Sequence, residues 1–166
     1  SSATSADRRR TTAAPPMPKS PERNASRRRR LREAVVRVLY AIDVGGTDVD
    51  AAIEGYKSSL AEGPVQQELD EWARDIVARR EEVDELIRQA STNWRLERVG
   101  ALERCLLRLG CWELLARPDI PARATINEAV EIARRYGGED SHAFVNGILD
   151  RIARLLVGRR GEVRSE

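Results

Sequence analysis

The chain has 166 residues, of which 41% are hydrophobic, 34% are charged and only 4% are aromatic. A chain of this length can bury a core of its own, which aliphatic side chains must largely fill. No apolar run reaches the roughly 20 residues that span a bilayer, and the N-terminal residues lack the apolar segment of a secretory signal. We therefore expect a cytoplasmic protein with no membrane partner.

The net charge of +2 conceals two oppositely charged regions. Residues 1–30 contain nine basic and two acidic residues, a charge of +7, whereas residues 31–166 contain 20 basic and 25 acidic residues, a charge of −5. Basic arms of this kind usually bind polyanions. The acidic remainder requires a different partner, or none.

The chain begins with a segment that is predicted to be disordered. Residues 1–26 are rich in Ser, Thr, Ala, Pro and Arg and have almost no apolar side chains. Such a segment buries too little surface to offset its ordering entropy, so we interpret it as a disordered basic N-terminal extension. Four consecutive arginines, residues 27–30, then lead without a break into an amphipathic helix, which Gly45 and Gly46 end.

The next elements are also predicted to be helical. A short helix runs through residues 51–60, Gly63 ends it, and Pro64 suits the first position of the following helix. Residues 64–91 carry a helical apolar pattern whose phase slips near residues 79–82, which indicates two helices or one kinked helix. Residues 92–100 form a connection.

The C-terminal part carries the most apolar helix, at residues 101–116, whose leucines surround much of its circumference and predict a central position. A sixth helix is predicted at residues 121–136, and a last one begins near residue 140 and ends near Gly158. Residues 159–166 are predicted to be a flexible C-terminal tail. No segment shows the alternation of a β-strand, so the predicted fold is all-α with about seven helices.

No pattern of reactive or metal-binding residues is found. Cys105 and Cys111 lie six positions apart on one predicted helix, where they point in different directions and cannot form a disulfide with each other, so each is expected to be a small core residue. The single histidine, His142, has no cysteine or histidine partner for a metal site. Carboxylates recur beside arginines, as on solvated helix faces. We therefore predict no catalytic residue, no metal, no cofactor and no enzymatic activity.

The arginine run is compatible with more than one function. Arginine binds phosphates with two parallel hydrogen bonds and stacks on bases, which favours RNA binding. The run also fits an arm for duplex DNA, or an inert tail on a helical protein-interaction module. A membrane surface is disfavoured because the helix that follows has no Trp or Phe on its apolar side.

Three segments of the chain resemble the NusB family of transcription antitermination factors. In chain order they read SRRRRLREAVVRVLYAID, VGALERCLLRLGCWELL and INEAVEIARRYGGEDSHAFVNGILDRIA. The resemblance implies a NusB-like helical domain over residues 27–158, with two packed three-helix subdomains plus a leading helix. It also implies binding of single-stranded boxA-type RNA from ribosomal RNA operons together with NusE, a small-subunit ribosomal protein, within the RNA polymerase antitermination complex.

The resemblance assigns roles to individual residues on the RNA side. Phe144 occupies the family's aromatic position, where it would stack on a base. Asp140 lies on the RNA-facing edge, where its negative charge would temper affinity. The backbone-binding element corresponds to the arginines at the start of the first helix: Arg28, Arg29, Arg30 and Arg32.

The resemblance likewise places Tyr40, Glu97 and Glu103 on the side that faces NusE, whose basic character would suit the acidic part of this chain. It leaves open whether the free protein forms a homodimer.

NusB-like domains also occur fused to ribosomal RNA methyltransferases. Because this chain ends at Glu166, we expect that alternative to apply only to a fragment.

Overall fold

The computed structural model describes residues 21–91, 93 and 95–164, with side chains described between residues 26 and 160. Across these residues the structure has seven α-helices, one short 3₁₀ turn and no strand, which confirms the predicted all-α fold. The helices are α1 (Pro21–Asp43), α2 (Val49–Lys57), α3 (Pro64–Ala78), α4 (Arg80–Ala90), α5 (Ala101–Ala116), α6 (Ala122–Tyr136) and α7 (Ser141–Arg164), and the turn is Leu96–Arg98.

The ends of several helices follow from local chemistry. α1 stops where Gly46 adopts the left-handed conformation, with φ of 62°, and the N–H of Thr47 donates to the carbonyl of Ala41 at 3.1 Å. The same carbonyl also accepts the N–H of Gly45 at 3.0 Å, so the chain turns back on the last turn of α1 and ends the helix. The slip in apolar phase near residues 79–82 is a break between two helices, because Arg79 leaves the helical region with φ of −102° and ψ of 19°.

Two helices extend further than predicted. α1 begins at Pro21 rather than after Ser26, since proline suits the first helical position, where its missing N–H is not needed. α7 continues through Gly158 to Arg164, because one glycine costs a helix only about 1 kcal/mol and does not have to end it. The predicted limits of the helical domain, residues 27 and 158, stay a prediction. Residues 1–20 lie outside the described residues, and α7 continues into residues 159–164, which were predicted to belong to a flexible tail.

The fold is organised around α5, as its apolar circumference predicted. All of its residues from 105 to 114 are buried. α1, α3, α4, α6 and α7 each pack on it, while α1, α2 and α3 form one group and α5, α6 and α7 another. Gly110 allows α7 to approach closely, because a Cβ at that position would lie 2.7 Å from Cδ1 of Leu149.

The two cysteines belong to this core, as predicted. Cys105 and Cys111 are buried, and neither forms a disulfide. Burial raises the pKa of each thiol to about 12, so both remain protonated at neutral pH. None of the described helices is both long enough and apolar enough to cross a membrane.

Candidate RNA and partner interfaces

Arg32 is part of the core. Its side chain is buried, and its Nε and Nη2 donate to the carboxylate of Glu113 on α5 at 2.8 and 2.6 Å. Thr125 of α6 donates its hydroxyl to the same carboxylate at 3.1 Å. A guanidinium held in this way is out of reach of a bound strand, so we assign Arg32 to the core instead of to the RNA surface. Arg32 differs from the predicted RNA-binding arginines because helical periodicity places it on the apolar face of α1.

Arg29 lies at the surface but already has a carboxylate partner. Its Nε and Nη2 donate to Glu128 of α6 at 2.8 and 2.9 Å. The hydrogen bonds of this pair raise the pKa of Arg29 and lower that of Glu128. Arg27 similarly forms an ion pair with Glu68 of α3. Each carboxylate neutralises its arginine and occupies part of the guanidinium, so a phosphate would have to compete with it or bind the remaining N–H donors.

Arg28 and Arg30 differ from their neighbours in the run. Arg30 is exposed, and neither Arg30 nor Arg28 forms an ion pair with a carboxylate within the described part of the chain. Burial lowers the pKa of the half-buried Arg28 guanidinium, the positive charges of Arg32 and Arg117 lower it further, and nearby carboxylates act in the opposite direction. The start of α1 therefore presents two arginines that could bind an anion without exchanging an existing ion pair.

The other two residues predicted to face RNA lie at the beginning of α7. Asp140 is exposed, and its carbonyl accepts the N–H of Phe144 at 3.2 Å. The Phe144 ring is half-buried against the hydrophobic core. Asp140 and Phe144 are therefore neighbours, with the ring at the edge of the core.

Arg29 and Phe144 are associated with different parts of α6. Arg29 contacts this helix near its middle, at Glu128, whereas α7 begins shortly after α6 ends at Tyr136, about 12 Å further along the axis at 1.5 Å per residue. Between these points Arg135 forms an ion pair with Glu33 of α1 at 3.4 Å. That the arginines predicted to face RNA and Phe144 contact one RNA strand stays a prediction. A strand that touched both groups would have to run along α1 and α6.

The residues predicted to face NusE lie where α1 ends and α5 begins. Tyr40 is 44% exposed and lines a cavity of about 200 Å³ together with Leu102. Glu97 is exposed, with its carboxylate 3.7 Å from Arg88. Glu103 is half-buried and accepts a hydrogen bond from the hydroxyl of Ser141. This end of the molecule therefore also includes the start of α7.

A network of ion pairs fixes this end of the molecule. Asp43, the last residue of α1, pairs with Arg104 and Arg108 of α5, and Arg108 also binds Asp84 of α4 with two hydrogen bonds of 2.9 and 3.1 Å. Burial acts to raise the pKa of Asp43, but hydrogen bonds and charge from the two arginines outweigh it, so the pKa is lowered. The network therefore holds three helices in register through charges that remain ionised.

Tyr136 is a surface residue that sequence reasoning missed. It is 55% exposed and lines the same cavity as Tyr40, although the two tyrosines come from different helices. Its position directly before the glycine that ends α6 was the available signal, because an aromatic residue at a helix end is easily exposed. Across the described residues, no cluster of His, Cys, Asp or Glu could hold a metal ion.

The sequence model of the NusB family matches residues 29–154. The chain is 46% identical to the transcription antitermination protein NusB of Sorangium cellulosum (strain So ce56) over 129 residues, which cover 75% of this chain and 90% of that protein. It is 44% identical to the NusB protein of Anaeromyxobacter dehalogenans (strain 2CP-1 / ATCC BAA-258) over 142 residues, covering 82% of this chain and 98% of that protein.

Solved structures show the same similarity. T. maritima NusB has a TM-score of 0.72 and 38% identity, over 76% of this chain and 90% of that chain. A structure of the antitermination factors NusB and NusE in complex with dsRNA has a TM-score of 0.72 over 78% of this chain and 98% of that chain, and at 23% identity this shows a likeness of fold. Given the match of the family model to most of the chain, this protein belongs to the NusB family.

Proposed function

We propose that this chain is an RNA-binding transcription antitermination factor that binds boxA-type RNA of ribosomal RNA operons together with NusE. Its relatives are named as transcription antitermination proteins, and a NusB protein of the same fold forms a complex with NusE and RNA. The chain would act as an adaptor within the RNA polymerase antitermination complex in the cytoplasm. It would catalyse no reaction and require no cofactor.

The observation that carries this proposal is the pair of arginines at the start of α1 that form no ion pair. Arg28 is half-buried and Arg30 is exposed, and neither has a carboxylate partner among the described residues. Phosphates bound here would release counterions and supply much of the affinity. Bases of a single strand would be read separately, by their edges and by stacking, for which Phe144 is the proposed aromatic residue.

NusE would bind at the other end of α1. Tyr40 offers an exposed ring beside a small cavity, and the carboxylates of Glu97 and Glu103 would attract a basic ribosomal protein. Because Glu103 also binds the start of α7, close to Phe144, NusE would contact the element that carries the proposed base-stacking residue. We expect the two partners to favour each other's binding by about 1–3 kcal/mol, the usual range for coupled sites.

The exposed apolar residues at this end also favour self-association as a homodimer in the absence of NusE. Tyr40, Val44 and Tyr136 are 44%, 55% and 55% exposed. NusE would compete for the same surface, so sedimentation of the free chain should show a dimer that NusE converts to a heterodimer. A free chain that remains monomeric at high concentration would contradict this proposal.

A salt titration of RNA binding tests the proposed function. The chain is titrated against boxA-type RNA with and without NusE, alongside the double variant Arg28→Ala with Arg30→Ala. Each lost phosphate contact should reduce the slope of log affinity against log salt by about 0.7 for a single strand, so the double variant should lose about 1.4. NusE should raise the affinity of both proteins.

The control removes the same charge from another surface. Arg74 and Arg79 lie on and directly after α3, and each already pairs with carboxylates, so Arg74→Ala with Arg79→Ala should leave the slope unchanged. An equal loss in both double variants would mean that net charge alone is responsible. Equal affinity for duplex DNA of the same sequence would favour a DNA-binding function instead.

A further inference from the structure

A groove between α4 and α7 has no role in the function proposed above. It has a volume of about 610 Å³ and is lined by the C-terminal residues of α4 and one face of α7. The lining residues are Gln89, Ala90, Arg151, Arg154, Leu155, Gly158 and Arg159. The groove thus combines three guanidinium groups with a short aliphatic surface.

The charge of this groove differs from that of three other cavities in the described part of the structure. Three further cavities contain arginines, but each also contains carboxylates, such as Glu33, Asp75 or Asp84. The α4–α7 groove has no carboxylate among its lining residues. This contrast matters because residues 31–166 as a whole carry a negative charge, of −5.

Two of the guanidinium groups are held in place by neutral acceptors. Arg151 donates from Nη1 to the carbonyl of Ala90 at 3.1 Å, and Arg159 donates from Nη2 to the side-chain oxygen of Gln89 at 2.8 Å. A guanidinium has five N–H donors, so each keeps others for a ligand. Because their acceptors are uncharged, neither bond neutralises the arginine.

The third guanidinium, that of Arg154, could bind a phosphate with little loss of free energy from its existing ion pair. Arg154 pairs with Asp150 one turn earlier on the same helix, and its side chain is 76% exposed. Exposed pairs of this kind are weak because water screens them. A phosphate could therefore share or replace the carboxylate partner of Arg154.

We propose that the α4–α7 groove binds the phosphodiester backbone of RNA at a second site, separate from the arginines of α1. The inference rests on the proposed function, and it adds that the chain holds a longer RNA than the boxA-type element alone. The first site lies on α1 beside α6, whereas this groove lies between α4 and α7. Only an RNA that extends beyond the first site would occupy both.

RNA length provides the test. The full chain with NusE is titrated with a short boxA-type RNA and with the same RNA extended by unrelated sequence on each side. The wild type should bind the longer RNA more tightly and with a steeper salt dependence. In the double variant Arg154→Gln with Arg159→Gln this additional slope should fall by about 1.4, at about 0.7 for each phosphate contact, while binding of the short RNA stays unchanged.

The control and a second variant make the result decisive. Arg74→Gln with Arg79→Gln removes the same charge from a groove that contains carboxylates, and should preserve the gain from RNA length. Arg154→Lys with Arg159→Lys keeps the charge and should retain most of the slope. Should the double glutamine variant fail to fold, Arg154→Gln alone alters only an exposed side chain and should lose about half of the added slope.

The possible outcomes separate the two proposals. If the wild type binds neither RNA, the proposed function fails and this inference with it. If the wild type binds both RNAs but the Arg154 and Arg159 variants equal it on the longer RNA, the second site is refuted while the proposed function stands. A loss on the short RNA as well would also refute a separate second site.

Discussion

Arg30 and Arg32 lie two positions apart in the same arginine-rich helix, yet they have opposite environments. Arg32 is 3% exposed and bound on two nitrogens by Glu113, whereas Arg30 is exposed. The comparison shows that a run of identical residues does not form one functional surface. Helical periodicity directs some of its members to the core and others to solvent.

The two environments imply different energetic roles. A buried ion pair contributes little net stability, because desolvation offsets the attraction, but removing one partner leaves an unpaired charge in the core. An exposed arginine contributes little to stability and remains free to bind an anion. We therefore expect substitutions at the two positions to affect different measurements.

The largest effect should come from Arg32→Ala. The substitution leaves the Glu113 carboxylate, which is 1% exposed, without its partner, and should lower the free energy of unfolding by about 3–5 kcal/mol. Urea denaturation monitored by circular dichroism measures this loss. RNA binding by the fraction that remains folded should be unchanged, since Arg32 does not reach the surface.

Arg30→Ala is the matched control on the same helix. It should change the free energy of unfolding by no more than about 0.5 kcal/mol, as is usual for exposed positions, while weakening RNA binding.

Replacing both partners of the buried pair, with Arg32→Met and Glu113→Leu, should recover much of the stability lost in Arg32→Ala. An Arg32→Ala protein that is as stable as the wild type would show that the ion pair is not needed.

The difference in burial between Arg30 and Arg32 could partly be predicted from the sequence. Arg32 precedes the buried Val35 and Leu39 by three and seven positions, a spacing that places all three on the apolar face of the amphipathic helix. Glu113 stands in the most apolar helix of the chain, where an isolated carboxylate indicates a buried partner. The NusB-like resemblance led us to treat the arginine run as one element, and this obscured the signal.

Other features required the three-dimensional structure. The number, order and approximate limits of the helices could be predicted, because apolar periodicity and Gly and Pro positions are local properties. The ion pairs of Arg27, Arg29 and Arg32 could not, since their partners lie 41, 99 and 81 positions away in the chain. For the same reason, nothing in the sequence showed that α4 and α7 enclose a groove lined by arginines.

An intermediate effect is expected at Glu97, which extends the comparison to carboxylates. Unlike Glu113, Glu97 is exposed and only loosely paired, with 3.7 Å between its carboxylate and Arg88. Glu97→Lys should therefore leave stability unchanged but reverse the charge offered to NusE. We expect roughly tenfold weaker association, about 1.4 kcal/mol, in isothermal titration calorimetry with purified NusE.

Glu85→Lys provides the control for Glu97. Glu85 is also exposed and also pairs with Arg88, at 3.9 Å, but it lies on α4 and has no predicted contact with NusE. Both variants change the net charge by the same amount. If they weaken NusE binding equally, the effect arises from overall charge, and the proposed role of Glu97 is wrong.

The smallest effect is expected for Arg29, whose exposure lies between that of the exposed Arg30 and that of the buried Arg32. Its partner Glu128 has a side chain that is 18% exposed and occupies Nε and Nη2 of Arg29, so a phosphate can reach these two nitrogens only by displacing the carboxylate. Glu128→Ala should release the guanidinium and strengthen RNA binding by up to about fivefold, because breaking such a pair costs at most about 1 kcal/mol. The salt slope should become steeper by about 0.7 if Arg29 gains one phosphate contact.

Glu131→Ala separates this release from a simple change in charge. Glu131 lies on the same helix and pairs with Arg134 at 3.4 Å, so its removal adds the same charge to α6 while leaving the hydrogen bonds between Arg29 and Glu128 intact. A gain found only in Glu128→Ala would mean that the fold restrains part of the RNA-binding arm through a carboxylate of α6. Equal gains in both variants would instead mean that RNA responds to the general potential of α6, and Arg29 would then belong with the structural arginines.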